Sequence, residues 1–355
     1  MYGVFSTQCG RAIAFLAAIL ALATTSPASA ANFCVGTRAQ AQAALDAAFD
    51  NGTVDVIRFR SGVIDVTTTL DFGSTAPSDQ LGVTLIGGYN ADCSVRTGET
   101  ALDGNAIAQI LQLEIRDGQS VVLDRLTFMR GRNTSYGANV AAVLYDTNAV
   151  PSLRIDNCVF LSGESEGENT SAGGLYVSGA GVLRIRNNLF IGNMAQGFPA
   201  MSVNLNGEGY ITGNTVTGNV ITDEDGDAVY VRGASAESEI WISNNIFWGN
   251  DADRDLYLFG DDVIGLTRND IGSRNNVDLL PGSILNVSVD PQFASCGFLC
   301  IDKPLKRSSP LVDAGIDTPA GGMPLIDLYG ADRTVGPAVD IGAYELDVLF
   351  DDGFQ

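Results

Sequence analysis

One pattern recurs five times, and it constrains the fold more than any other feature. The segments 121–128, 153–160, 183–190, 209–216 and 240–247 each alternate apolar and polar residues, bend, and close on Phe or Val; two of them read LRIDNCVF and LRIRNNLF. Most are followed by Gly or Gly-Asn, as at Gly192-Asn193, Gly218-Asn219 and Gly249-Asn250. A second short apolar segment recurs in phase, starting at Leu175, Met201, Val229 and Leu256, with spacings of 26, 28 and 27 residues. Self-similarity at such a period is the mark of a solenoid, whose coils bury their apolar faces only by stacking on one another. Gly is 41 of 355 residues and charged residues only 17%, against a usual Gly content of ~7%, which fits many tight turns.

The repeat predicts inward columns. Leu123, Ile155, Ile185, Ile211 and Ile242 form one; Phe128, Phe160, Phe190, Val216 and Phe247 form another. The asparagines fall at the corners, Asn157, Asn187 and Asn244 in one column and Asn188, Asn214 and Asn245 beside it. Asn tolerates a left-handed turn, and stacked amides can bond from coil to coil. Upstream, 54–59, 83–86 and 110–113 read as the first strands. Residues 36–51 read as an amphipathic helix with the apolar stripe Ala41, Ala44, Leu45, Ala48 and Phe49, stopped at Gly52. Such a helix would cover the open edge of the first coil.

Residues 110–275 resemble a right-handed parallel β-helix of the pectate-lyase-like superfamily. That resemblance implies an all-β solenoid of about seven or eight coils with an N-terminal α-helical cap, a rod of roughly 35–40 Å at ~4.8 Å per coil. A second resemblance lies in 290–345. DPQF at 290–293, SPLVDAG at 309–315, Asp332-Arg333 and DIGAYE at 340–345 stand in order. This series is similar to the terminal signature of secreted bacterial β-helix proteins called choice-of-anchor Q. It implies an exported, surface or extracellular protein and no particular reaction. The expected organisation is a leader at 1–30, the helical cap at 31–53, the β-helix at 54–289, a segment packing on it at 290–346, and an acidic-aromatic tail at 347–355. The tail reads either as a sorting tag or as a cap on the last coil.

The leader expectation rests on Arg11, the apolar run 12–23 and the closing Ala28-Ser29-Ala30. The run is shorter than the ~20 residues a membrane span needs, and no later stretch could span a bilayer. Of six cysteines, Cys9 lies in this leader. In an oxidising compartment Cys34 with Cys93 would tie the N-terminal segment to the body, and Cys296 with Cys300 would close a small loop. Cys158, inside the repeat, reads as a free, buried thiol.

The chain has no histidine and a formal net charge of −22. The first fact removes Ser-His-Asp and Cys-His catalysis and His-ligated zinc. The second argues against nucleic acid and anionic membrane as partners. The Gly-His-Gly of β-helix polygalacturonases has no counterpart, Asp261-Asp262 lacks its flanking pieces, and RIR at 184–186 is repeat consensus. No catalytic residue can be assigned, although two-carboxylate glycosidase chemistry survives the absence of histidine.

Three features remain as candidate sites. Acidic turns precede the second segment: Glu164, Glu166 and Glu168, then Asp223, Glu224, Asp225 and Asp227, then Asp251, Asp253 and Asp255. Hard oxygen ligands favour calcium, so Asp223, Asp225, Asp227, Asp251, Asp253 and Asp255 are candidate ligands of a structural calcium; solvated acidic turns are the alternative. Tyr176, Tyr230 and Tyr257 should point outward as a stripe, interrupted at Ser202, on which sugar rings could lie. Arg154, Arg184, Tyr210 and Trp241 make a comparable column on the other sheet, suited to an acidic polysaccharide. For both stripes, plain cross-coil packing is the competing reading. Leu161, Leu189, Ile191, Ile246 and Trp248 are apolar yet face outward; the C-terminal segment wrapping over them is the expectation, a partner's contact patch the alternative. The expected function is non-catalytic binding of carbohydrate or cell-surface components. A polysaccharide lyase or carboxylate-based glycosidase is the alternative, and a structural adhesin or passenger module a third reading.

Overall fold

The computed structural model describes residues 30–49, 51–73, 81–167, 171–223, 225–259, 263–274, 283–295 and 301–346. The expected leader, the terminal tail, the Cys296 and Cys300 loop, Glu168, Glu224 and Asp261-Asp262 lie outside the described residues. The rest forms an all-β parallel solenoid of about seven turns with one short helix.

One coil shows why the repeat folds this way. The strand Leu175–Arg186 runs along two faces. Asn187 takes φ 55°, the chain turns, and Leu189–Ile191 forms a third face. Gly192 takes φ 66°, and Met194–Ala195 leads back. The next strand, Met201–Thr212, then pairs in parallel, Leu175 beside Met201 and Arg186 beside Thr212. In this coil each corner is a left-handed residue followed by an inward Asn, Asn187-Asn188 and Gly192-Asn193.

The expected columns exist. Leu123, Ile155, Ile185, Ile211 and Ile242 are paired neighbours, at most 1% exposed. Phe128, Phe160 and Phe190 stack with centroids 5.3 and 4.5 Å apart, and Val216 and Phe247 continue the row. Burying each large apolar side chain contributes about 1.5–3 kcal/mol.

The inward asparagines form two amide ladders. In the first, the Nδ2 of Asn188 donates to Oδ1 of Asn214 at 3.0 Å, Asn214 to Asn245 at 2.9 Å, Asn245 to Asn269 at 2.9 Å and Asn269 to Asn286 at 2.9 Å. Cys158 takes the place above Asn188, its backbone N–H donating to Oδ1 of Asn188 at 2.8 Å. Among the described residues Cys158 is free and buried, and burial pushes its thiol up. The second ladder runs from Asn139 through Asn193, Asn219 and Asn250 to a carboxylate, Asp255.

The helix is Arg38–Ala48, shorter at both ends than the expected 36–51. Thr37 caps it, its hydroxyl accepting from the N–H of Gln40. A strand the sequence did not reveal, Asn32–Val35, precedes it and pairs beside Asp55–Arg60 as the outermost strand of the sheet. Ala41, Ala44, Leu45, Ala48 and Phe49 are buried, and Phe49 meets Phe72 edge-on at 5.3 Å. Cys34 and Cys93 form a disulfide. Among the described residues no helix is long and apolar enough to cross a membrane.

Residues 301–346 form a strap over the third face. Leu189, Val159 and Ile191 pack with Leu328, Ala343 and Tyr344; Ile246 and Trp248 pack with Leu305, Leu311 and Ile341. The left-handed corner residues hold the strap backbone. Asn244 donates to and accepts from Ile316, 2.9 Å each way; Asn187 donates to the Ile326 carbonyl at 2.7 Å; Arg268 donates to that of Ala314 at 2.9 Å. The Asp332-Arg333 and 340–345 motifs lock this layer. Arg333, 2% exposed, donates to the carbonyls of Asp340 and Gly342. The Glu345 carboxylate accepts from the N–H groups of Val335 and Asp340, and Asp340 accepts from Asp313 and Leu346.

Candidate functional site

The strap covers the third face and its corner with the second, so the outward row of the first face is the place to look for a free surface. Register puts Ala141, Tyr176, Ser202, Tyr230 and Tyr257 side by side on successive coils. The row is interrupted at Ser202, as its sequence predicts, and another small residue, Ala141, precedes Tyr176. In both cases an aromatic from the preceding turn lies alongside. Tyr136 packs on Tyr176 with centroids 4.7 Å apart, and Phe198 stacks on Tyr230 at 4.5 Å and 19°. Ser202 is only 2% exposed, whereas the flanking rings are half-buried or, at Tyr136, 50% exposed.

Beyond Tyr230 the ribbon continues through Tyr257, 5.8 Å away, and Phe259, 6.4 Å away. Two guanidiniums dress its far end. Arg254 sits 4.2 Å over the Tyr257 ring and Arg232 5.3 Å over Phe259. Burial raises the Tyr230 hydroxyl above its ordinary range, so this end is partly desolvated before any ligand arrives.

A shallow hollow of ≈ 460 Å³ opens beside these rings, lined by Gln196, Phe198, Asp225, Asp227, Asp253 and Arg254 among others. Asp227 is 4% exposed and pairs with Arg254, Oδ1 to Nε at 2.5 Å. Burial raises the Asp227 carboxyl, with Arg254 pulling it back and Asp253 adding to the rise. Arg254 in turn is held more firmly protonated by Asp227, which makes it a poor proton acceptor. The arrangement is a flat aromatic platform with amide, carboxylate and guanidinium groups at one edge. Such a surface can stack sugar rings and hydrogen-bond their hydroxyls.

Of the six acids considered as calcium ligands, Asp225, Asp227 and Asp253 line the hollow. Asp227 is engaged by Arg254. Asp255 ends the second ladder, accepting from Asn250 on one oxygen and from Ser273 on the other. Asp223, Asp225, Asp251 and Asp253 are exposed. Among the described residues no group of three or more acids, cysteines or histidines is placed to hold a metal ion. Glu166 of the same acidic turns pairs with Arg132 on the surface.

Arg154, Arg184, Tyr210 and Trp241 do form a column, exposed at Arg154 and covered by the strap at Tyr210 and Trp241. Arg184 lies 5.1 Å over Tyr210, and Arg154 pairs with Asp156 at 3.2 Å. The strap roofs the rest. Gly321 presses so closely on Tyr210 that a Cβ there would sit 2.3 Å from the ring. Pro319 and Ala320 close over Trp241, leaving a gap of ≈ 120 Å³. The column works as a seat for the strap, because a flat ring on a sheet surface is what a glycine-bearing loop can lie against.

Sequence reasoning missed Tyr136, Phe198, Phe259, Arg232 and Arg254. Phe259 had a signal, since it stands two residues beyond Tyr257 and so shares its face. Asp227 and Arg254 are 27 residues apart, which is the repeat period. Tyr136 and Phe198 sit in turns that the repeat does not register. The comparisons add no relative: no family model, no curated protein and no solved structure matches the chain.

Proposed function

We propose that this is an exported surface or extracellular protein that binds a neutral glycan along the aromatic ribbon of its first face, without altering it. The observation that carries the reading is the contiguous platform of Phe198, Tyr230, Tyr257 and Phe259 beside a polar hollow. A β-solenoid suits it, because it repeats the same outward position at a spacing of ~4.8 Å and so offers a linear polymer a linear track. The carboxylates at the hollow and the net charge of −22 favour an uncharged chain over an acidic one. The resemblances to the pectate-lyase-like superfamily and to the choice-of-anchor Q signature agree with an exported carbohydrate-related role.

A glycan array tests it. The intact protein should retain a set of neutral oligosaccharides, and the Tyr230→Ala, Tyr257→Ala double variant should lose them while keeping its melting temperature. Equal retention by both proteins would reject the platform. A carboxylate-based glycosidase is the second reading, because Asp227, raised by burial, lines the hollow with Asp225 and Asp253. New reducing ends appearing in a bound oligosaccharide would establish it.

A further inference from the structure

The turns that lead into the first face hold a second hollow. Counted by their first-face strands, the described coils run from Leu70–Phe72 as the first to Tyr257–Phe259 as the seventh, each paired in parallel with the next. The hollow beside Phe198 is lined by the turns entering the fifth, sixth and seventh coils. The second, of ≈ 530 Å³, is lined by the turns entering the first three: Thr68 and Thr69, Ile107 and Gln109, then Asn133 and Thr134. Both therefore lie along the same edge of the rod, their middles four strand spacings apart, ~19 Å.

The second hollow suits an uncharged, hydroxyl-bearing ligand. Hydroxyls and amides line it, Ile107 adds an apolar surface that is 66% exposed, and the guanidinium in its lining, Arg132, is paired with Glu166. Its walls are set in advance. Arg38 donates to the carbonyls of Thr68 and Thr69 at 3.0 and 2.8 Å, and Gln109 to that of Gly137 at 2.6 Å. The Asn133 side-chain carbonyl accepts from the N–H groups of Thr134 and Ser135 at 2.7 and 3.1 Å. Walls held this way lose little freedom when a ligand arrives. Rings lead from one hollow to the other. Tyr136 belongs to the turn entering the third coil, Tyr176 to the fourth coil, Phe198 to the turn entering the fifth, and Tyr230 and Tyr257 to the sixth and seventh.

Resting on the glycan reading above, we propose that this hollow is a second subsite for the same ligand, an unbranched, neutral, β-1,4-linked chain of about five rings or more, one for each coil between the two middles. Such a chain is extended, and its advance per ring is close to the strand spacing, so it can follow a straight row. An α-1,4-linked chain curls away from one. Two subsites on one chain act together, because the second engages a ligand already held by the first.

Titration calorimetry of the whole protein tests this with tri- and hexasaccharides of β-1,4-linked glucose and of β-1,4-linked mannose, beside maltotriose and maltohexaose. In a β-linked series the hexasaccharide should bind at least about tenfold more tightly than the trisaccharide. The Ile107→Glu, Tyr136→Ala double variant changes two exposed residues. It should lose that gain at unchanged melting temperature and keep the affinity for the trisaccharide. The maltose series should show no gain with length. A β-linked hexasaccharide that binds no more tightly than its trisaccharide, or that binds the Ile107, Tyr136 variant as well as the intact protein, would overturn the second subsite and leave the platform standing. An equal gain in the maltose series would overturn the extended chain. Failure of the platform itself looks different: neither length binds, or the Tyr230→Ala, Tyr257→Ala variant binds the trisaccharide as well as the intact protein does.

Discussion

Asn214 accepts from the backbone and the amide of Asn188 and donates to the Ile185 carbonyl and to Asn245. Replacing it by Ala strands several buried groups at once. Asn214→Ala should lower the unfolding free energy by about 3 kcal/mol in urea titration. Asp270 gives a pH signature. It is fully buried on the third face, where Ile246 is its neighbour one coil back, and desolvation pushes its carboxyl up to about 7. Between pH ~4 and ~7 the folded chain then holds a proton that the unfolded chain has lost, so this residue's contribution falls as pH rises through that window. Asp270→Asn should flatten that fall and raise the melting temperature by ~3 °C above pH ~7. A variant with an unchanged pH profile would contradict the assignment. At this scale the sequence was readable where a residue type recurs in register, as with Asn188, Asn214 and Asn245. Cys158 was still legible as a free, buried thiol inside the repeat, whereas Asp270 breaks its row and its environment could not be read without the coils around it.

Among the elements, the strap and the cap bear the predictions. Arg333 is buried among Asp327, Asp340 and Glu345, and burial pushes the Glu345 carboxyl up to about 7. Removing this cation leaves buried acids facing each other. Arg333→Met should cost about 3–5 kcal/mol, and Trp248 fluorescence should shift to the red as the strap lifts from the third face. A wild-type melting curve would show that the motif does not lock the layer. At the other end, the Cys34–Cys93 bond spans a sequence separation of 59. Replacing both cysteines by Ala should lower stability by ~4 kcal/mol on the loop-entropy account. The solenoid strands were legible because each coil repeats the last. The path of the strap was not, since residues 301–346 repeat nothing; only the outward apolar residues Leu161, Leu189, Ile191, Ile246 and Trp248 announced that something must cover them. The strap also covers Tyr210 and Trp241 of the column that starts at Arg154: sequence gives a residue's face, and a non-repeating segment decides whether that face stays bare.

For the whole molecule, a parallel solenoid with one flank strapped leaves its first face uncovered by the strap, and that face carries the rings. The absent histidine and the acid excess exclude several kinds of chemistry without choosing one; the aromatic ribbon is what chooses. Titration calorimetry of a neutral oligosaccharide series, taken from the array and graded in length, tests this most directly. Affinity should rise with chain length until the ligand spans the ribbon, and the Tyr230→Ala, Tyr257→Ala variant should bind the longest member at least about tenfold more weakly at unchanged melting temperature. Affinity independent of length, or a variant that binds as well as the intact protein, would contradict the account.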